Sequence, residues 1–327
     1  KPSMTASMDI AHVAGIVAEK GGDTAHASIL ARALEIPAVL SVKGILQKVK
    51  NGDSIIIDGA YGEVFINPTQ RTFSIYEKKK KKYEEHIEEL KTFINKSTET
   101  ADGKKVMLAA NIGGADEAAK AVKAGAEGVG LFRTEFLFLN KNALPTEEEQ
   151  FEEYKKAAVL TKGMPLTIRT LDIGGDKDIP YMGLTKETNP FLGYRAIRFC
   201  LDRVDIFTTQ LRAILRASAY GSIRIMIPNE VRQVKDMIKK ICSDLDHNGI
   251  SYDKNIQTGV MIETPAAAIM ADAIAQEVDF FSIGTNDLTQ YTIAVDRCNE
   301  NVAYLYSAFN PAVLRLIRRI IECAHNA

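Results

Sequence analysis

The sequence predicts an α/β protein in which a small β/α module is followed by a (β/α)8 barrel that lacks its last unit. Two observations lead to this fold class. From about residue 106 onward, apolar strand segments alternate with helical segments, which is typical of a parallel sheet covered by helices. This region carries no glycine fingerprint of a doubly wound nucleotide-binding fold, which favours the barrel. With 327 residues, the chain is long enough for a barrel and an appended module.

Residues 1–70 form the predicted small module. Three short apolar runs, Ala38–Val42, Ser54–Asp58 and Glu63–Ile66, are expected to be strands. The sequence Asn51-Gly52-Asp53 marks a turn just before the second of them. This part of the chain is too small to enclose a site for complex chemistry by itself.

The most distinctive segment of the module begins at Gly21-Gly22 and contains one histidine, His26. The glycine pair permits a sharp turn, and apolar residues recur at helical spacing from Ile29 onward, so His26 is expected at a turn-to-helix junction. A neutral imidazole, with an ordinary pKa of about 6.5, is a good nucleophile at neutral pH. The competing interpretation is a structural histidine whose hydrogen bonds are satisfied.

Residues 71–100 are expected to be a helical linker. The stretch from Arg71 to Lys96 has no glycine or proline and is rich in Glu and Lys, which favours one long exposed helix. Its consecutive lysines are followed at once by acidic residues, so a solvated helix face is favoured over a nucleic-acid patch. The apolar residues of one stripe are Tyr83, Ile87, Leu90 and Phe93.

Residues 101–327 are expected to form the barrel, with a possible short extra strand near Gly193–Ala196. The other predicted strands are Val106–Asn111, Gly128–Arg133, Leu166–Asp172, Ser222–Ile227, Thr258–Glu263 and Phe280–Gly284. The helices predicted between them include Ala115–Ala124, Thr146–Leu160 and Val231–Leu245.

Composition excludes several classes of protein. A formal net charge of −1 gives no electrostatic reason to expect nucleic acid as a partner. No run of about 18 apolar residues and no signal peptide are visible, so membrane insertion is not expected. The scattered cysteines, without a C-x-x-C pair, favour free thiols in a reducing cytoplasm over disulfides or a zinc site. These cysteines are Cys200, Cys242, Cys298 and Cys323.

Polar side chains stand at the ends of successive predicted strands, where barrels carry their functional residues. Arginine forks such as those of Arg133 and Arg169 suit an anion that carries both a carboxylate and a phosphate. Two carboxylates, Glu263 and Asp287, are best explained by a hard divalent cation, Mg²⁺, held together with a phosphorylated substrate. The competing interpretation is a surface network of ion pairs.

Several long motifs resemble one family. The segments that carry the resemblance are Gly21–Arg32, Gly130–Phe136, Arg169–Lys177, Asn189–Arg195, Glu263–Ala268 and Gly284–Tyr291. Over its whole length the chain resembles the phosphoenolpyruvate (PEP)-utilising enzymes, in particular the Enzyme I family of the bacterial PEP:sugar phosphotransferase system. Pyruvate phosphate dikinase and PEP synthase resemble it more loosely, through the histidine segment and the Arg-x-Glu-Phe element.

The resemblance implies an enzyme that phosphorylates its own histidine from PEP and passes the phosphoryl group to the carrier protein HPr during sugar uptake. It implies that His26, oriented by Thr24, is the nucleophile, and that residues 1–70 are a swivelling phosphohistidine domain. It implies Mg²⁺ at Glu263 and Asp287, and a homodimer formed through the barrel region. The residues that it implies for PEP binding are Arg133, Arg169, Arg195, Asn286 and Arg297.

The sequence departs from the family pattern in three places. It begins close to the histidine segment, it ends before an eighth strand and a cysteine-containing segment, and the route after Pro228 is several residues shorter than usual. We therefore expect a fragment, and expect that the chain by itself does not turn over PEP. Two alternatives stay open: an enzyme like PEP synthase or pyruvate phosphate dikinase, and a catalytically silent regulatory phosphocarrier. A nitrogen-regulatory paralogue is not distinguished from the sugar system.

Overall fold

The computed structural model describes residues 12–19, 31, 36–94, 96–139, 141–174, 179–183, 187–227, 230–297, 299 and 301–327. The chain divides into two compact units, Lys1–Phe93 and Ile94–Ala327. Among the described residues, no helix is both long enough and apolar enough to cross a membrane.

The first unit contains two small strand pairs. Strands β1 (Ile16–Val17) and β2 (Ala38–Val39) are parallel, whereas β3 (Ile55–Asp58) and β4 (Glu63–Ile66) form an antiparallel hairpin. The hairpin turn is fixed by the carboxylate of Asp58, which accepts hydrogen bonds from the backbone N–H groups of Ala60 and Tyr61. The three predicted strand runs of this module are therefore present, with β2 shorter than expected.

Helices in the first unit are α1 (Ile45–Lys48) and α2 (Gln70–Lys91). The α2 helix begins at Thr69, whose hydroxyl accepts a hydrogen bond from the backbone N–H of Thr72 at 3.2 Å. It buries none of its side chains, and its charges of opposite sign pair one turn apart, as in Lys80 with Glu84. The long exposed helix expected from the sequence is present, and its role as a linker stays a prediction.

The second unit is built on a parallel sheet of six strands, in the spatial order β10-β9-β8-β7-β6-β5. Each strand pairs with the neighbour in sequence, and helices follow the strands, as in a partial barrel. The strands are β5 (Ala109–Ile112), β6 (Gly128–Arg133), β7 (Leu166–Arg169), β8 (Ile223–Ile227), β9 (Gln257–Ile262) and β10 (Phe280–Ile283). This confirms the predicted fold class.

Ten α-helices and several shorter turns surround this sheet in the part of the unit that the structure describes. The longer helices have strongly amphipathic sequences, with apolar residues on the side that meets the sheet. The helices are α3 (Ala115–Lys123), α4 (Glu135–Leu139), α5 (Glu147–Leu160), α6 (Ile197–Asp202), α7 (Val204–Ala217), α8 (Val231–His247), α9 (Pro265–Ile269), α10 (Ala271–Ala275), α11 (Thr285–Ile293) and α12 (Pro311–His325). Helix α4 begins two residues after strand β6 ends.

The core of the second unit lies between the sheet and these helices. Phe132, Ile168, Ile225 and Val260 on four adjacent strands are fully buried, as is Leu211 on α7. Burying such a side chain contributes roughly 1.5–3 kcal/mol, so this layer fixes the strand ends relative to each other. The residues that directly follow the strand ends are therefore held in defined positions relative to each other.

The prediction of a short extra strand near Gly193–Ala196 is wrong. A short 3-10 turn covers Pro190–Leu192, and the following residues form an irregular loop. The carboxylate of Glu187 accepts the backbone N–H of Tyr194, at 3.0 and 3.1 Å, so that group is not available to a strand ladder. The same carboxylate occupies the space that a Cβ on Gly193 would take, so a larger residue there would displace the Glu187 side chain.

Candidate active site

Two arginines end neighbouring strands at the carboxyl edge of the sheet. Arg133 is the last residue of β6 and Arg169 the last residue of β7, and the two are direct partners in the strand register. The predicted strand Leu166–Asp172 ends early because the backbone N–H of Leu171 donates to the buried side chain of Gln210 at 2.8 Å. Thr170 still donates its backbone N–H to the carbonyl oxygen of Met226 on β8 at 3.0 Å, and the residues after it leave the sheet.

The Arg169 guanidinium is held by two carboxylates. Its Nη2 lies 2.9 Å from Glu135 Oε1 and 3.1 Å from Asp172 Oδ2. Glu135 is only 2% exposed and Asp172 only 9%, so each charge is compensated inside the protein. Burial works to lower the pKa of Arg169, but the charges of Asp172 and Glu135 outweigh it and raise that pKa above its ordinary value. Arg169 is a permanent cation at this edge.

Arg195 reaches the same cluster from the loop that precedes α6. Its Nη2 lies 3.2 Å from Asp172 Oδ1 and 3.8 Å from Asp287 Oδ2. This loop packs directly against Gly174, since a Cβ on Gly174 would lie 2.9 Å from the Cβ of Arg195. The next residue, Ala196, has a φ of 48°, a conformation that costs a non-glycine residue of order 1–3 kcal/mol. The surrounding contacts therefore impose the position of Arg195.

Asp287, Asn286 and Arg297 come from α11 and the segment after it. The Nη1 of Arg297 lies 2.8 Å from Asp287 Oδ1. The hydroxyl of Tyr306 lies within hydrogen-bond distance of Asn286, 3.2 Å from its side-chain oxygen and 3.1 Å from its carbonyl oxygen. Asp287 thus touches Arg195 and Arg297, whereas the amide of Asn286 faces Tyr306.

Glu263 follows directly after β9 and is half-buried. Burial and the negative charges of Asp287 and Asp172 raise its pKa to about 7, although Arg169 and Arg195 act in the opposite direction. The carboxylate packs against Gly284, where a Cβ would lie 2.7 Å from the Glu263 Cβ. The site therefore holds a carboxylate whose charge is costly in the absence of an additional cation.

Arg133 differs from the other arginines of this edge. Its guanidinium stacks over the ring of Phe136, with 4.7 Å between the guanidinium carbon and the ring centre. Its Nε is buried and has no hydrogen-bond partner among the described residues. A buried donor without a partner costs of order 1–3 kcal/mol, and an anion bound here would remove that cost.

The space at the centre of these side chains is small. A cavity of about 10 Å³ is lined by Arg169, Asp172, Ala196, Met261 and Glu263, among others, and has room for about one water molecule. A larger cavity of about 350 Å³ lies elsewhere, next to the exposed Arg232–Glu277 ion pair. The larger cavity is lined by no residue of the arginine–carboxylate cluster, so it is not the candidate active site.

The donor chemistry of the cluster suits Mg²⁺. Within the described part of the chain, no three His, Cys, Asp or Glu side chains form a metal-binding group. Glu263 and Asp287 nevertheless interact unfavourably as like charges, and a cation bound to both would relieve that repulsion. Carboxylate oxygens are the ligands that Mg²⁺ prefers, and it usually completes its coordination with water and substrate oxygens.

The structure brings together most of the residues selected from the sequence. One charged network contains Arg169, Arg195, Glu263, Asp287 and Arg297. Arg133 lies next to this network because it is the register partner of Arg169. Asn286 precedes Asp287 in the chain. His26, Thr24 and Cys298 lie outside the described residues.

Sequence reasoning missed three residues of this network: Glu135, Asp172 and Tyr291. Each lies within a motif already noted, so a signal was present. Glu135 and Asp172 follow the strand-end arginines by two and three positions, and Tyr291 follows Asp287 by one helical turn.

Comparison with known proteins adds a decisive observation. Residues 87–327 match the family model described as "PEP-utilising enzyme, PEP-binding domain", and residues 1–62 match "PEP-utilising enzyme, mobile domain". The chain belongs to the PEP-utilising enzyme family. The arginine–carboxylate cluster lies wholly in the PEP-binding domain of the family, and His26 and Thr24 fall in its mobile domain.

Curated relatives in this family share about half of their residues with the chain. It is 51% identical over 329 residues to the phosphoenolpyruvate-protein phosphotransferases of Bacillus sp. (strain S) and Geobacillus stearothermophilus, and 48% identical to that of Priestia megaterium. Each alignment covers 99% of this chain and 57% of the relative. The chain thus spans somewhat more than half the length of these members of the PEP-utilising enzyme family.

Proposed function

We propose that this chain is the PEP-binding and phosphoryl-accepting part of a phosphoenolpyruvate-protein phosphotransferase. The observation that carries the proposal is the cluster of Arg133, Arg169 and Arg195 at the carboxyl edge of the sheet, beside Glu263 and Asp287. The cluster lies in a region that matches the PEP-binding domain of its family, and the named relatives support this activity over pyruvate-phosphate dikinase chemistry.

PEP carries two anionic groups, a carboxylate and a phosphate, close together. The planar forks of Arg133, Arg169, Arg195 and Arg297 suit both groups because each can present two parallel N–H donors. Asn286 supplies an uncharged amide beside them. Three of these arginines, Arg169, Arg195 and Arg297, already pair with Asp172 or Asp287, so the substrate has to compete with those carboxylates for the same donors.

Mg²⁺ is the proposed cofactor, held by Glu263 and Asp287. When bound, it neutralises charge on the substrate oxygens and thereby favours attack on phosphorus. The binding of this ion requires ionised Glu263, whose pKa is about 7 in the absence of a cation.

The proposed reaction transfers the phosphoryl group to His26. A neutral imidazole nitrogen attacks phosphorus, a nitrogen–phosphorus bond forms, and the bond from phosphorus to the bridging oxygen breaks. The electron pair of the broken bond stays on that oxygen, leaving the enolate of pyruvate, which then takes a proton on carbon. Positioning and charge neutralisation by the arginines supply most of the catalysis of such transfers. Thr24 is proposed to orient the imidazole of His26.

Further parts of the proposal concern partners. We propose that the phosphoryl group passes from His26 to HPr for sugar uptake in the cytoplasm, and that the protein is a homodimer through residues 101–327. The relatives named phosphoenolpyruvate-protein phosphotransferase support transfer from PEP to a protein acceptor.

Calorimetric titration with PEP in the presence of Mg²⁺ tests the proposal on the chain itself. We expect saturable binding by the unsubstituted chain and at least tenfold weaker binding after Arg133→Lys or Arg169→Lys, because lysine cannot make the bidentate contact. Arg318→Lys is the matched control, since Arg318 pairs with Glu322 on the exposed face of α12. Absence of PEP binding by the folded, unsubstituted chain would refute the proposed function.

A further inference from the structure

The hydroxyl of Tyr291 joins two segments that lie far apart in the sequence. It donates a hydrogen bond to the carbonyl oxygen of Phe191 at 2.6 Å, across 100 residues of chain. The same oxygen lies 3.5 Å from Nη1 of Arg195, which donates to it. One hydroxyl therefore contacts both the loop that precedes α6 and the guanidinium which that loop presents.

The neighbours of Arg195 show how narrowly its position is defined. Its guanidinium carbon lies 5.7 Å from the ring centre of Phe191, the residue whose carbonyl Tyr291 binds. On the other side, Nη2 pairs with Asp172 at 3.2 Å. An arginine fork binds an anion in two-point fashion only if its plane is fixed, and here the two Nη atoms have separate protein partners.

Tyr291 belongs to α11, the same helix that carries Asp287. Tyr291 lies one helical turn after Asp287, so both side chains project from the same face of α11. The loop that carries Arg195 is thereby tied to the helix that carries a proposed metal ligand. Burial raises the pKa of Tyr291 above its ordinary value, so the hydroxyl keeps its proton near neutral pH.

We propose that Tyr291 is a positioning residue for substrate binding, which holds Arg195 at the angle required for two-point contact with an anionic group of PEP. Tyr291 acts through Arg195 and does not itself need to touch the substrate. This inference rests on the proposed function, and it deepens it by adding a residue that sets the geometry of one substrate arginine.

Tyr291→Phe removes only the hydroxyl and is the direct test, with PEP affinity measured by calorimetry on the folded chain in the presence of Mg²⁺. Loss of a hydrogen bond that aligns a charged donor should weaken PEP binding by about tenfold. Tyr181→Phe is the matched control, because its hydroxyl likewise donates to a backbone carbonyl, that of Phe138 at 2.7 Å. The control variant should bind PEP with unchanged affinity.

A double-mutant cycle separates positioning from general loosening of the structure. In an Arg195→Ala background, Tyr291→Phe should change PEP affinity by less than about twofold, because its effect passes through the missing guanidinium. Arg195→Gln provides a second background if Arg195→Ala lowers the melting temperature too far for titration. A full tenfold loss in either background would show a merely structural role and overturn the inference.

The remaining outcomes distinguish this inference from the proposed function. If the unsubstituted chain binds PEP and Tyr291→Phe binds it equally well, the inference fails and the proposed function stands. If the Arg195 variants bind PEP as tightly as the unsubstituted chain, the inference also fails, because Arg195 is then not a substrate residue. If the unsubstituted chain binds no PEP, both are refuted.

Discussion

The carboxylate of Asp172 lies 3.2 Å from the guanidinium of Arg195 and joins the loop after β7 to the loop before α6. The other oxygen of Asp172 lies 3.1 Å from Arg169, so one carboxylate bridges two arginines of the candidate active site. Without this carboxylate between them, the positive charges of Arg169 and Arg195 would repel each other in a partly buried site. Asp172 therefore allows Arg169 and Arg195, the two arginines proposed to bind substrate, to stand side by side.

Asp172→Asn should destabilise the chain, because it removes the negative charge between two largely buried arginines. Breaking a buried ion pair from one side costs about 3–5 kcal/mol, and we expect the lower end because Arg169 keeps its contact with Glu135. Urea denaturation of the apo chain would measure the loss in free energy of unfolding.

The control for this substitution is Asp116→Asn. Asp116 pairs with Lys156 at 2.7 Å, but its side chain is 87% exposed, so we expect a change below about 1 kcal/mol. Equal stabilities of the two variants would show that the Asp172 bridge contributes no more than a surface ion pair.

The sequence predicted the strand-end residues well because their positions depend on local pattern. A buried run followed by a polar residue locates Arg133 and Glu263 at a sheet edge, once the strands are known to be parallel. Arg195 is predicted only from a family motif. The structure has a loop where the sequence suggests a short strand near this residue. The deciding contact there is Glu187 with the backbone of Tyr194, a side-chain interaction that periodicity does not encode.

The network that holds these residues could not be predicted from spacing. The contact of Tyr291 with Phe191 spans 100 residues, and the contact of Arg169 with Glu135 joins the ends of two strands. Such pairs depend on how strands and loops pack in three dimensions. Their residue types were visible in the motifs, but their partners were not.

Glu263 should make the stability of the apo chain depend on pH. Its pKa is raised from 4.5 to about 7, so the folded state favours the protonated form. The resulting stabilisation is fully present below pH 4.5 and is lost as pH rises through 7. With 1.36 kcal/mol per pKa unit, the loss is about 3 kcal/mol between pH 4.5 and 8.

Unfolding measured across this pH range without divalent metal would test the effect. Glu263→Gln removes the titrating group, so the difference in free energy of unfolding between the unsubstituted chain and the variant should shift by about 3 kcal/mol over that range. A difference that stays constant with pH would contradict the assignment. Addition of Mg²⁺ should reduce the pH dependence, since the ion competes with the proton for the carboxylate.

His26 should be the residue that receives the phosphoryl group. In the full-length protein, His26→Ala should incorporate no acid-labile label from radiolabelled PEP, because the nucleophilic nitrogen is gone. His86→Ala is the control and should incorporate label at the level of the unsubstituted protein, since His86 lies exposed on α2. Label found on another histidine of the His26→Ala protein would refute the assignment.

Gly284→Ala should weaken the binding of Mg²⁺ and PEP without unfolding the protein. Gly284 has a φ of −77°, which alanine adopts without strain, so the effect of the added methyl group is one of space alone. That methyl group would lie 2.7 Å from the Cβ and 3.0 Å from a carboxylate oxygen of Glu263, so the carboxylate has to move. Overpacking of this kind costs typically 1–3 kcal/mol.

Gly114→Ala, where the new methyl group meets its nearest neighbour at 3.4 Å, is the control and should change binding little. Calorimetric titration of both variants with Mg²⁺ and PEP would measure the difference, and equal affinities would show that the position of Glu263 does not govern metal and substrate binding.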